Sequence, residues 1–142
     1  MIRSIFTKKE IPLLYEIEKE CFAPAFRWSK KIFIDQIKKQ NIWIYENDEQ
    51  IVGFLLAFLR KGKGYISSME VLPAFQGQGY GKLLMEACHK YFKEQGCKEM
   101  SLDVNTKNPA QILYFKMGYR TAGFKRNFYK QGSHGLYMIK SL

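Results

Sequence analysis

The stretch Val71-Leu72-Pro73-Ala74-Phe75-Gln76-Gly77-Gln78-Gly79-Tyr80-Gly81-Lys82-Leu83-Leu84 constrains this chain more than any other. An apolar strand runs through three alternating glycines into an amphipathic helix. Glycine takes positive φ without steric cost and lets a ligand approach where a Cβ would stand. The N–H groups of a first helical turn lack intrahelical acceptors, so they can face an anion. The order is strand, anion cradle, helix N-terminus, and it points to a phosphate-bearing ligand. The glycines by themselves would equally suit a plain turn before a core helix.

Spacing excludes two phosphate-binding loops. A P-loop needs G-x-x-x-x-G-K-[ST], whereas three residues separate Gly77 from Gly81 and Lys82 is followed by Leu83, which cannot ligate Mg²⁺. The dinucleotide fingerprint G-x-G-x-x-G is missed because the third glycine arrives one residue early.

With 142 residues, 46% of them hydrophobic, the chain can build one core and is not disordered. A single domain over residues 1–142 is expected. The longest apolar run, Ile51 to Leu59, is strand-sized, against the ~20 residues that a membrane span needs. No secretory signal opens the chain, so a cytoplasmic protein without membrane contact is expected. Cys21, Cys88 and Cys97 form no CxxC pair, and their odd number argues against a disulfide framework. Cys88 falls on the apolar face of a helix, where a buried structural thiol is expected. His89 reads as a helix-surface residue and His134 as a turn residue, neither with a metal-ligand set around it.

The net charge of +10 calls for an anionic partner, which could be a phosphorylated ligand, nucleic acid or acidic protein. A nucleic-acid-binding module is the alternative that the charge and the 11 Phe, 9 Tyr and 2 Trp bring forward. Most of those aromatics sit at core-like spacings and no nucleic-acid signature accompanies them, so that alternative ranks below an enzyme.

Ile2 to Phe6 can form a short strand, and Thr7-Lys8-Lys9-Glu10 has the form of a capping box. Ile11, Leu14, Ile17 or Glu18, and Cys21 follow at helical spacing until Pro24. Ser29 is a natural N-cap for a second helix through Lys39, with Phe33, Ile34 and Ile37 inward. Asn41 to Glu46 and Gln50 to Leu59 read as a hairpin whose second strand is apolar enough to be central. Tyr65 to Leu72 feeds the glycine loop. The helix from Gly81 to Gln95 should bury Leu83, Leu84, Ala87, Cys88, Tyr91 and Phe92 and end at Gly96. Met100 to Asn105 is the next strand, parallel to Tyr65–Leu72 in a right-handed β-α-β unit. A short helix from about Pro109 to Met117 follows, then strands Tyr119 to Tyr129 and Leu136 to Ser141 around a turn at Lys130-Gln131-Gly132-Ser133-His134-Gly135. The order β-α-α-β-β-β-α-β-α-β-β predicts an α/β fold: one mixed, mostly antiparallel sheet with a central parallel unit and helices on both faces.

The segment V-x-P-x-x-Q-G-x-G-x-G-x-x-L-L, with Gln76, Gly79 and Gly81 as its Q-x-x-G-x-G, resembles the acetyl-CoA-binding motif of the GNAT family of N-acetyltransferases. The element order matches that family over the whole chain. The resemblance implies acetyl-CoA as acetyl donor, held by the backbone of Met69, Glu70 and Val71 and by the loop Gln76, Gly77, Gln78, Gly79, Tyr80, Gly81 and Lys82. Ala110-Gln111-Ile112-Leu113-Tyr114-Phe115-Lys116-Met117-Gly118-Tyr119 resembles the family's A-x-x-L/F-Y-x-x-x-G-F/Y, whose tyrosine protonates the departing thiolate. Tyr114 suits that role, since a phenol of pKa ~10 keeps its proton at neutral pH. Carboxylates on the two parallel strands act as base in the family, directly or through water. Here they are Glu70 and Asp103.

Leu102-Asp103-Val104, Ile17-Glu18-Lys19-Glu20-Cys21-Phe22 and Trp28-Ser29-Lys30-Lys31-Ile32-Phe33 resemble the bacterial ribosomal-protein N-terminal alanine acetyltransferases. Asp103 is a methylene shorter than their glutamate, which favours a water relay. Ala25-Phe26-Arg27 intervenes between Pro24 and Trp28, in a loop that borders the acceptor groove in those enzymes. Lys107 occupies their pantetheine-contacting Asn position, and Asn108 or Asn105 can substitute. The final hairpin carries Ser133-His134-Gly135 where those enzymes have an acidic residue and alanine. No nucleophile stands out, so direct attack by an amine in a ternary complex is expected rather than a covalent acetyl-enzyme. The acceptor is then a protein or peptide amine, an N-terminal α-amine first, with a small-molecule amine as the alternative.

Overall fold

Side chains alternate across a strand, and this fold divides along that alternation. Ile42, Ile44, Phe54 and Leu56 are buried in one apolar cluster, while Trp43, Leu55 and Ala57 are buried in another. The structure, a computed structural model, describes residues 1–129 and 132–142; Lys130 and Gln131, within the expected hairpin turn, lie outside the described residues. In chain order the elements are β1 (Ile2–Arg3), α1 (Ile11–Cys21), α2 (Lys30–Lys39), β2 (Asn41–Asn47), β3 (Gln50–Arg60), β4 (Lys63–Val71), α3 (Tyr80–Glu94), β5 (Glu99–Asn105), α4 (Ala110–Lys116), β6 (Arg120–Lys125) and β7 (Gly135–Ser141). Their order is the expected one.

The strands make one seven-stranded sheet in the order β1-β2-β3-β4-β5-β7-β6. Only β4 and β5 are parallel, joined by α3, and every other pair is antiparallel. Leu14 and Ile17 of α1 and Phe33 and Ile37 of α2 cover one face together with Phe54 and Leu56. Leu84, Met85, Cys88 and Phe92 of α3, with Tyr114 of α4, cover the other. The predicted starts hold locally. Thr7 N donates to Glu10 Oε1 at 2.9 Å, the reciprocal half of a capping box, and Ser29 Oγ accepts from Ile32 N at 3.3 Å.

Three expectations are corrected. The first strand stops at Arg3 rather than Phe6, where the Arg3 guanidinium turns to hold Glu10 and Glu46. The strand after α4 ends at Lys125 rather than Tyr129, because Asn127 takes φ 51°, outside the extended region. The buried stripe of α3 is Leu84, Met85, Cys88, His89 and Phe92, whereas Leu83 and Tyr91 are exposed. His89 is therefore not a surface residue. It is 8% exposed, and its Nε2 lies 2.7 Å from the Tyr119 hydroxyl, a partner 30 residues away that helical spacing cannot reveal.

Candidate active site

The sheet is incomplete at its centre. β4 and β5 pair only at Gly64↔Met100, Tyr65↔Ser101 and Ile66↔Leu102, and beyond that point the two strands part. The join is tight, since a Cβ on Gly64 would stand 2.4 Å from Met100 Sδ. Past it, β4 continues to Val71 paired with β3 alone. Leu72 N donates to Val52 O at 2.8 Å, and antiparallel alternation then makes Glu70–Phe54 a hydrogen-bonded pair. The backbone groups of Met69 and Val71 consequently face the gap, as an extended ligand adding to a strand edge requires. The Val71 carbonyl accepts there from Gln76 Nε2 at 2.9 Å and from Cys21 Sγ at 3.3 Å.

Below the gap the glycine loop enters α3. Gly77 has φ 80° and Gly79, the N-cap, has φ 88°, and a Cβ on either would meet nothing within 4 Å. The concave side is thus open. No side chain caps α3, and its first intrahelical bond runs from Leu83 N to Gly79 O, so the N–H groups of Tyr80, Gly81 and Lys82 have no intrahelical acceptor. Those amides carry the positive end of a 15-residue helix. Gln76, Gln78 and Lys82 are exposed around them; Tyr80 is held by Asn47 Nδ2 at 3.2 Å and by its ring against Tyr45. These residues fit a diphosphate in chemistry and in space.

A cavity of about 620 Å³ runs from the gap to the loop between α1 and α2. Tyr114, Asp103 and Asn108 all line it, along with Glu18, Cys21, Trp28 and Ser68. Tyr114 belongs to the α3 side of the sheet, where burial pushes its phenol up to about 12. It keeps its proton at any working pH. Asn108 accepts from Ala110 N at 2.9 Å, capping the start of α4 through its carbonyl and leaving its amide NH₂ to the cavity. Asn105 Oδ1 is taken by Lys107 N at 3.0 Å.

The two carboxylates lie on the α1 side, in different company. Asp103 Oδ2 accepts the Tyr65 hydroxyl at 2.7 Å, and Oδ1 lies 2.9 Å from Lys125 Nζ in an ion contact outside hydrogen-bonding angle. Arg60 approaches to 3.8 Å and stacks over the Tyr65 ring. Burial first, and then the bond to Asp103, push the Tyr65 phenol well above its ordinary range. Among the described residues Glu70 pairs with no cation. Ser68 Oγ donates to its Oε2 at 2.5 Å, while Oε1 is buried without a hydrogen-bond partner. Burial, and after it the neighbouring Glu18 carboxyl, raise Glu70 well above the usual carboxylate range.

Sequence reading singled out Tyr114, Asp103, Glu70 and the loop as candidates, and the structure places the first three on the elements that border one gap. It did not find Glu18, Ser68, Tyr65 and Lys125 as partners of those carboxylates. The available signal was the group of polar residues Ser67, Ser68 and Glu70 in a strand that lies in the middle of the sheet.

Residues 11–119 match the acetyltransferase (GNAT) family. The chain belongs to that family and is an acyltransferase. An uncharacterized N-acetyltransferase of Methanocaldococcus jannaschii is 29% identical over 142 residues, covering 99% of this chain and 91% of the relative. The ribosomal protein bS18-alanine N-acetyltransferase of Haemophilus influenzae is 30% identical over 122 residues, covering 86% and 83%. The crystal structure of the ribosomal-protein-S18-alanine N-acetyltransferase from Escherichia coli superposes with a TM-score of 0.86 at 25% identity, covering 99% of this chain and 92% of that one.

Proposed function

We propose that this chain works as one N-acetyltransferase domain that moves the acetyl group of acetyl-CoA to an N-terminal α-amine of a protein or peptide by direct attack. The observation that carries this is the gap between β4 and β5, which has a protonated phenol on one face and carboxylates on the other. Acetyl-CoA supplies an activated thioester. Met69 and Val71 present backbone groups to its amide arm, the amides of Gly77 to Lys82 take its diphosphate, and the Asn108 amide meets the arm at the mouth of α4. Tyr114 holds a proton for the departing sulfur.

An incoming amine must lose a proton before it attacks, at a cost of about 1.4 kcal/mol at pH 7 for an α-amine of pKa ~8 and about 4.6 kcal/mol for a lysine amine of pKa ~10.4. Glu70 is the better acceptor of that proton. Among the described residues its carboxyl pairs with no cation, and its proton affinity is raised well above that of an ordinary glutamate, whereas both Asp103 oxygens are engaged by Tyr65 and Lys125. The α-amine is favoured because the bS18-alanine enzymes above share most of the chain. Incubation with acetyl-CoA and either peptides of varied first residue or a panel of amino sugars, polyamines and amino acids tests the assignment. Mass spectrometry should find the label on peptide N-termini. Acetylation confined to the small amines would replace the protein acceptor with a metabolite.

A further inference from the structure

Glu18 and Glu70 come from different elements, α1 and β4, and each is at least nine-tenths buried, with exposures of 3% and 2%. Each has one committed oxygen. Glu18 Oε2 accepts from Trp28 N at 2.8 Å, and Glu70 Oε2 accepts from Ser68 Oγ at 2.5 Å. Each also has one oxygen, Oε1, that is buried and lacks a donor. The Glu18 carboxyl is a close enough neighbour to raise the proton affinity of Glu70 further, after burial has done so. A proton held by the pair relieves these unsatisfied carboxyl groups, whereas two bare carboxylates leave a buried like-charge pair.

Among the described residues no cation pairs with either carboxyl to take that proton's place. From α1, Cys21 faces it with a thiol that burial pushes up to about 12. Lys19 of the same helix turns out to Glu16, and Arg27 bonds the backbone of Phe22 and Lys19. From the loop before α2 comes only the Trp28 N–H. β4 offers Ser68, and the strand beside it pairs Phe54 against Glu70.

Ser68 and Glu18 line the cavity, whereas the unpartnered Oε1 atoms themselves are buried. The Ser68 hydroxyl donates to Glu70 and can accept from the cavity side at the same time. We propose that Ser68, Glu70 and Glu18 form a proton relay for the acceptor amine: a proton enters at Ser68 Oγ, passes to Glu70 and comes to rest shared with Glu18. The step balances. An N–H bond of the ammonium breaks directly or through one water, Ser68 Oγ gains that proton as its own moves to Glu70 Oε2, and the nitrogen keeps the electron pair with which it attacks. The carboxyl then rotates the proton toward Glu18, and it returns to solvent by the same route when product leaves. Ser68 is thus a catalytic residue and Glu18 a positioning residue that sets the proton affinity of Glu70. The relay rests on the acetyl-transfer proposal above, with Glu70 as base, and adds the path to it.

Two measurements on the full chain test the relay. Infrared titration without substrate should find one carboxylic acid still protonated well above the range in which an ordinary glutamate, near ~4.3, ionises. That band should vanish in Glu70→Gln and titrate at lower pH in Glu18→Gln. A parent protein with no such band overturns the relay whatever its acceptor is. With a peptide bearing free N-terminal alanine as probe, Ser68→Ala should lower kcat by roughly 10²-fold with peptide KM within about 3-fold, and Ser68→Thr should restore it. Glu18→Gln should shift the acid limb of the pH–rate profile to lower pH. Parental turnover in Ser68→Ala, or an unmoved limb in Glu18→Gln, overturns the relay. Failure of the parent to acetylate any peptide counts instead against the acceptor assignment, while the infrared result stands by itself.

Discussion

Tyr114 shows how much a single residue's surroundings decide. Burial holds its proton, and its position on the α3 side of the gap separates it from the carboxylates on the α1 side. Tyr114→Phe removes one hydroxyl and keeps the ring that packs against Tyr119 at 6.1 Å. Thermal stability and acetyl-CoA affinity by calorimetry should therefore be retained, while kcat should fall by roughly 10²- to 10⁴-fold. A variant that turns over within a factor of about three of the parent would make the phenol a packing group. Tyr114 was legible because its neighbours Ala110 and Gly118 fix its pattern. Glu18 was visible as a position and silent as chemistry. Helical spacing put it on the inward face beside Ile17, but nothing local says that its partner sits 52 residues later on β4. Asp103 was legible as a carboxylate on the parallel strand, whereas its engagement by Tyr65 and Lys125 depends on three strands coming together.

Among the elements, α3 carries both the glycine loop and the largest departure from periodicity. Its start, end and length follow from local signals, the φ of Gly79 and of Gly96 among them. Its buried face is offset, because Met85 and His89 continue the stripe of Leu84 and Cys88 under the sheet while the line Leu83, Ala87, Tyr91 runs along its flank. A polar ring was assigned to water by pattern, and tertiary pairing with Tyr119 overrode that. Burial, and secondarily Lys140, push the His89 imidazole down to about 4. The sign follows: the unfolded chain, with an imidazole near 6.5, binds a proton that the folded chain refuses, so stability present above pH ~6.5 is lost as pH falls toward 4. Against His89→Gln, the parent should lose on the order of 2 kcal/mol of relative stability between pH 7 and pH 4.5 in urea titrations. A parent-minus-variant difference that stays flat across that range would mean that the ring protonates freely in the folded state.

Across the whole molecule, the sheet is a partition with one opening. The helices α3 and α4 bring the glycine loop and Tyr114 to it from one side, and α1 with the loop before α2 borders the cavity on the other. Under the function proposed above, donor and acceptor meet across that opening with no covalent acetyl-enzyme between them. The one thiol that lines the cavity, Cys21, donates to the Val71 carbonyl and is pushed up to about 12, mainly by burial and then by Glu70, so it is not a thiolate at working pH. Initial-rate kinetics should therefore be sequential: double-reciprocal plots against peptide at several acetyl-CoA concentrations should intersect, and Cys21→Ala should keep kcat within about 3-fold. Without acceptor, mass spectrometry of the protein after incubation with acetyl-CoA should find no acetyl adduct at Cys21. Parallel lines together with an adduct that chases onto peptide would place the acetyl group on the enzyme between two half-reactions, and the partition would then separate two sequential steps instead of the two substrates of one.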